Sequence, residues 1–175
     1  QKVGSELEIT ENSFYAPTEW QPGFEAGIKS LKLANGEVIF VWRSISEAGE
    51  VGQLFARVFD ENLSPEGSEF AFATLDNNEP LAFNIVEGDN GFYVVYITKS
   101  VNPDTTAEYD AYALKINTVT GIVSDSIKLD DIIGLDQPFD VALEAYTGDE
   151  IHAIFFQLDD VNNLTGHLTT KTLNL

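Results

Sequence analysis

The chain has 175 residues, enough for one domain with a full core or for several small repeated units. Nine Lys and Arg against 29 Asp and Glu give a net charge of −20, which argues against nucleic acid and anionic membranes and leaves a cation, a neutral glycan or a basic partner. The absence of cysteine removes disulfides, thiolate nucleophiles and zinc–thiolate sites, and no run of about 18 apolar residues is present to cross a bilayer as a helix.

Taken in chain order, the first predicted element is a lone strand at 3–10, "VGSELEIT". After Pro22 come an apolar run, the turn Asn35-Gly36, and the strongly apolar "VIFVW". Asn-Gly supplies the positive backbone dihedrals of a tight hairpin. Strands at 53–60, "QLFARVFD", and 67–74, "GSEFAFAT", follow. The same order recurs after Pro80: "LAFNIV", the turn "EGDNG", "FYVVY", then strands at 108–117 and 121–129. It recurs again after Pro138 with "FDVALEAYTGDE", "IHAIFF" and "GHLTTKTLNL" at 166–175.

The three prolines Pro22, Pro80 and Pro138 are 58 residues apart, and self-similarity at that scale marks a repeat architecture. The repeats run about 21–74, 79–129 and 137–175, with the third lacking the fourth strand that 3–10 would supply. The central runs are β-branched and aromatic at consecutive positions, which predicts strands buried on both faces. The expected class is all-β, with three four-stranded units that fit β-propeller blades.

The first repeat resembles repeats of large secreted bacterial proteins of the RTX and adhesin type. The likeness rests on Asn35, Gly36, Trp42, Arg57, Phe59, Asp60, Gly67, Glu69 and Phe70. Tyr96 stands for the Trp in the second repeat and Phe156 in the third. The resemblance implies blade-like folding, an extracellular or cell-surface bacterial location and an association with calcium, and it brings no catalytic residues. A first residue Gln1 and the lack of methionine suit a processed protein or a segment of a longer one.

Three blades are fewer than a closed ring usually holds. The chain is therefore expected to pair as a homodimer into a six-bladed ring, or to be part of a larger chain. A β-trefoil or β-prism is the alternative fold.

In a four-stranded meander, alternate connections gather at one end. Here those connections are long and acidic, and loops on a rigid scaffold are where binding usually sits. Phe14, Tyr15 and Trp20 in "SFYAPTEW" could stack on a sugar ring, with Glu47 and Asp104 accepting its hydroxyl hydrogen bonds. The alternative is that these aromatics cap a blade. Asp76-Asn77, Asp130-Asp131 and Asp159-Asp160 follow strands and offer oxygen ligands suited to Ca²⁺, or simply make turns.

His152 and His167 fall on predicted strands, His152 within an apolar run, and no nucleophile or metalloprotease motif accompanies them. The function read from the sequence is a non-enzymatic binding or adhesion module for a glycan or a cation-bridged ligand. A structural spacer or assembly domain and a polysaccharide hydrolase are the alternatives.

Overall fold

A computed structural model describes residues 8–10, 27–45, 51–76, 78–100, 109–118, 123–129, 138–145, 150–160 and 165–174. Their regular structure is all β, as expected. The first sheet contains β1 (Ile28–Lys32), β2 (Val38–Ile45), β3 (Val51–Phe59) and β4 (Phe70–Asp76). The second contains β5 (Asn78–Gly88), β6 (Gly91–Ser100), β7 (Tyr109–Asn117) and β8 (Ile127–Lys128). The third contains β9 (Pro138–Ala145), β10 (Glu150–Asp160) and β11 (Thr165–Asn174). Each sheet is an antiparallel meander in chain order.

Local chemistry sets the hairpins. In the first, Asn35 Oδ1 accepts the Glu37 amide at 3.0 Å and Gly36 adopts φ 97°, a value an L side chain resists. In the second, the two-residue turn Asp89-Asn90 joins Gly88 to its partner Gly91, with Asn90 at φ 58°. The Asn-Gly and Asp-Asn-Gly turns therefore do what the sequence predicts of them.

The second sheet lies between the other two. Ile39, Val41, Leu54, Ala56 and Ala73 of the first sheet bury against Phe92, Val94, Tyr96, Leu114 and Ile116 of the second. On its opposite side, Tyr93, Val95, Ile97, Ala111 and Ala113 bury against Ile151, Ala153, Phe155 and Leu173 of the third. Residues 91–98 of β6 are accordingly all buried. The strands β1, β5 and β9 run along the seams: β5 packs on β1 and β9, and Asn84 Nδ2 donates to the Val141 carbonyl at 3.4 Å.

The register aligns the repeats residue by residue. Val38 faces Phe59, Phe92 faces Ile116, and Ile151 faces Leu173. Trp42 pairs with Phe55 and Tyr96 with Tyr112, both as stacked rings, at 6.0 and 5.3 Å between centroids. In the third sheet the equivalent position is Phe155, opposite Thr169, and Phe156 points to the other face. Two adjacent phenylalanines look alike in sequence, and only pairing with β11 distinguishes them.

β8 is much shorter than the run predicted at 121–129. Ser124 Oγ takes the Lys115 amide at 2.8 Å, where a ladder carbonyl would otherwise bond, and Val123 forms an isolated bridge with Ile116. The predicted strand at 3–10 falls mostly outside the described residues. Of it, Glu8, Ile9 and Thr10 are described and lie outside any strand.

The corner between β3 and β4 is built by residues of the motif. Asp60 Oδ1 accepts the amides of Asn62 at 2.9 Å and Ser64 at 2.8 Å. Leu63 sits inside this turn at φ 64° with its side chain 43% exposed. A left-handed conformation costs a branched L residue about 1 kcal/mol or more. Leu63→Gly should therefore raise the unfolding free energy by about 0.5–1 kcal/mol, since little burial is lost. Urea denaturation at fixed protein concentration checks this, and a decrease would show that Leu63 earns its strain through packing.

Candidate functional site

Because the sheets are meanders, the connections after β2, β6 and β10 leave from the same sheet end as those between sheets. The first and second sheets share that end directly, since only Asn77 separates β4 from β5. These connections span 46–50, 77, 101–108, 130–137 and 161–164. They contain Glu47, Glu50, Asp104, Glu108, Asp130, Asp131 and Asp136 and no Lys or Arg.

Most of the sequence-predicted site lies outside the described residues: Phe14, Tyr15, Trp20, Glu47, Asn77, Asp104, Asp130 and Asp131. Asp76 and Asp160 are placed by their backbones, at the ends of β4 and β10. Asp159 is the candidate whose side chain is described. Its Oδ1 lies 2.8 Å from His167 Nδ1 across the β10–β11 pair, with both side chains more than half exposed. Among the described residues no cluster of three or more His, Asp or Glu could hold a metal ion.

The Asp159–His167 contact was not foreseen, although the signal was present. Gln157 faces His167 in the register, which brings the imidazole within reach of the end of β10. Gln157 Nε2 lies 3.5 Å from His167 Nε2 and donates to Thr169 Oγ1. With an amide donor before Nε2 and a carboxylate before Nδ1, the arrangement favours the tautomer protonated at Nδ1. A carboxylate–imidazole pair can orient a base, and here Nε2 faces the Gln157 amide. The pair is built to tie the end of β11 to β10, and an exposed pair of this kind contributes little to stability.

The motif residues of the first repeat serve the scaffold. Arg57 is buried, with its guanidinium 5.4 Å from the Phe59 ring centroid. Its Nε donates to the Gly67 carbonyl at 3.1 Å and its Nη1 to the Ile9 carbonyl at 3.1 Å. Arg57, Phe59, Asp60 and Gly67 therefore form one corner at the sheet end opposite the acidic connections.

Compared with known proteins, the chain matches no family model, and no curated protein matches it either. No helix among the described residues is long and apolar enough to cross a membrane.

Proposed function

We propose that the chain is a non-enzymatic binding or adhesion module of propeller-blade type, acting outside the cell or on a bacterial cell surface. The observation carrying this reading is the meander topology. It returns the connections that contain Glu47, Asn77, Asp104, Asp130 and Asp131 to one sheet end, while the opposite end carries the hairpin turns and the Arg57 corner. Connections rich in carboxylates and amides suit a glycan's hydroxyls or a ligand bridged by Ca²⁺. In this reading Phe14, Tyr15 and Trp20 supply the stacking surface, and Glu47 and Asp104 accept hydrogen bonds. Asp76, Asn77, Asp130, Asp131, Asp159 and Asp160 are the candidate calcium ligands.

The test is a glycan array run in calcium and in EDTA, with the wild type and a Tyr15→Ala/Trp20→Ala double variant. The expected result is calcium-dependent binding that the double variant loses. Equal binding by both proteins rules out the aromatic site, and equal binding in EDTA rules out the cation.

A second reading, an assembly or spacer domain of a larger surface protein, is favoured by a specific feature. β11 has a neighbour on one side only among the described residues, whereas its counterparts β3 and β7 each have two. Sheet edges of that length are usually covered or paired.

A further inference from the structure

β11 is the counterpart of β3 and β7, yet its surroundings differ. β3 lies between β2 and β4, and β7 between β6 and β8, whereas β11 pairs with β10 alone among the described residues. Ala111, Ala113, Leu114 and Ile116 of β7 are buried, but in β11 Leu173 alone is. Thr165 to Leu168, Thr170, Thr172 and Asn174 are exposed. Packing of the third sheet on the second falls mainly to β9, which meets β5, β6 and β7. The outer edge of β11 is left to solvent.

The composition of β11 favours pairing along that edge. Thr165, Thr169, Thr170 and Thr172 are β-branched, and no proline removes a ladder donor. Leu168 is 70% exposed, more than any other large hydrophobic side chain among the described residues. It stands opposite Phe156 of β10, on the face that also carries Ile154, itself 42% exposed. A long edge of this kind is a template for another strand.

Charge selects the occupant. The chain carries a net charge of −20, so two copies repel each other over most of their surface. Thr165–Asn174 holds no Asp or Glu and includes Lys171. β11 is therefore a place where a second copy can approach. Its charge also differs between its two ends. Asp159 is more than half exposed and bonded to His167 at one end, while Lys171 lies toward the other. His167 and Lys171 are four residues apart on an extended strand and share a face. Antiparallel pairing of two β11 strands carries Lys171 of each copy to the Asp159 end of the other, an attraction repeated twice.

We propose that the β11 edge is an interface between two copies of this chain, paired antiparallel about a two-fold axis at Leu168. Leu168 then faces Leu168 of the second copy, Gly166 faces Thr170, and Thr165 faces Lys171. The two third sheets join into one sheet of six strands, three from each copy. The Ile154, Phe156 and Leu168 stripe runs on across the axis, and the most exposed leucine is covered by its own copy. The same patch serves both partners, so the contact closes at two. This pairing rests on the assembly reading of β11 and is independent of the glycan site.

The chain has no cysteine, so single-cysteine variants report on the register. Oxidised Leu168→Cys should run as a covalent dimer on a non-reducing gel, because residues directly opposite lie about 5 Å apart between Cα atoms, within disulfide reach. Thr172→Cys, on the same exposed face, should stay monomeric on that gel, since its two copies stand about 27 Å apart in this register. Light scattering of the wild type should give twice the 19.3 kDa chain mass. Leu168→Lys should halve that mass with an unchanged far-UV circular dichroism spectrum, because the side chain is exposed within one copy. A wild-type monomer or an open series of larger masses would overturn the interface. A dimer in which Leu168→Cys fails to cross-link, or Thr172→Cys cross-links as readily, would overturn this pairing and leave the assembly reading standing.

Discussion

Tyr93→Ala is expected to lower the unfolding free energy by about 3–5 kcal/mol, the range for removing a buried aromatic ring. Tyr93 is fully buried in an inner strand of the middle sheet, in the cluster that joins the second and third sheets. Its ring lies over Gly88, where a Cβ would come within 2.3 Å of it, so no side chain there can swing in to fill the cavity. The loss also removes the contact with Lys115, whose Nζ is 5.1 Å from the ring centroid. Urea denaturation at fixed protein concentration measures the effect. Ile127→Ala, at a position 42% exposed, should stay within about 0.5 kcal/mol of wild type and serves as the control. A loss below about 1 kcal/mol for Tyr93→Ala would mean that the two sheets collapse onto the vacated space, contrary to the close packing argued here.

Gly91→Ala should destabilise by about 3 kcal/mol, the upper end for forcing extra volume into a packed site. Gly91 opens β6 and pairs with Asn117, and a Cβ there would stand 1.9 Å from the Ile116 carbonyl oxygen. The obstacle is backbone, so no rotamer change relieves it. The β6–β7 ladder must part at this end, and Phe92 and Ile116, paired next to it and buried, move with it. Hydrogen exchange should show lost protection first at the Gly91–Asn117 end of the ladder, and denaturation should show the free-energy loss. Retained protection and near-wild-type stability would show that the turn before Gly91 absorbs the clash.

The two substitutions probe different forces, side-chain burial and backbone approach. Both act on the second sheet because, among the described residues, it is the sheet packed on both faces by other sheets. Position in the stack sets the cost of a change as much as the residue type does. β6 and β10 read alike as apolar runs, yet Val94 is fully buried and Ile154 is 42% exposed.

Which connections return to one sheet end was legible in sequence, because meander topology alone decides which loops share an end. The contact of Asp159 with His167 was not legible. The two lie on different strands, and a bulge near the end of β10 sets where they meet. The motif residues Arg57 and Asp60 were legible as a signature, but their work as a corner was not. Only the folded chain brings Ile9 and Gly67 to the same guanidinium.

The sequence by itself determined the strands, their turns and their threefold recurrence. Alternation, β-branching and Asn-Gly chemistry are local properties that act over a few residues. The tertiary structure decided which of two adjacent phenylalanines enters the core, how far β8 pairs, and which sheet is covered on both sides. Those outcomes depend on register between strands and on packing between sheets. A one-residue slip reverses every side chain of a strand, so they are fixed only when distant parts of the chain meet.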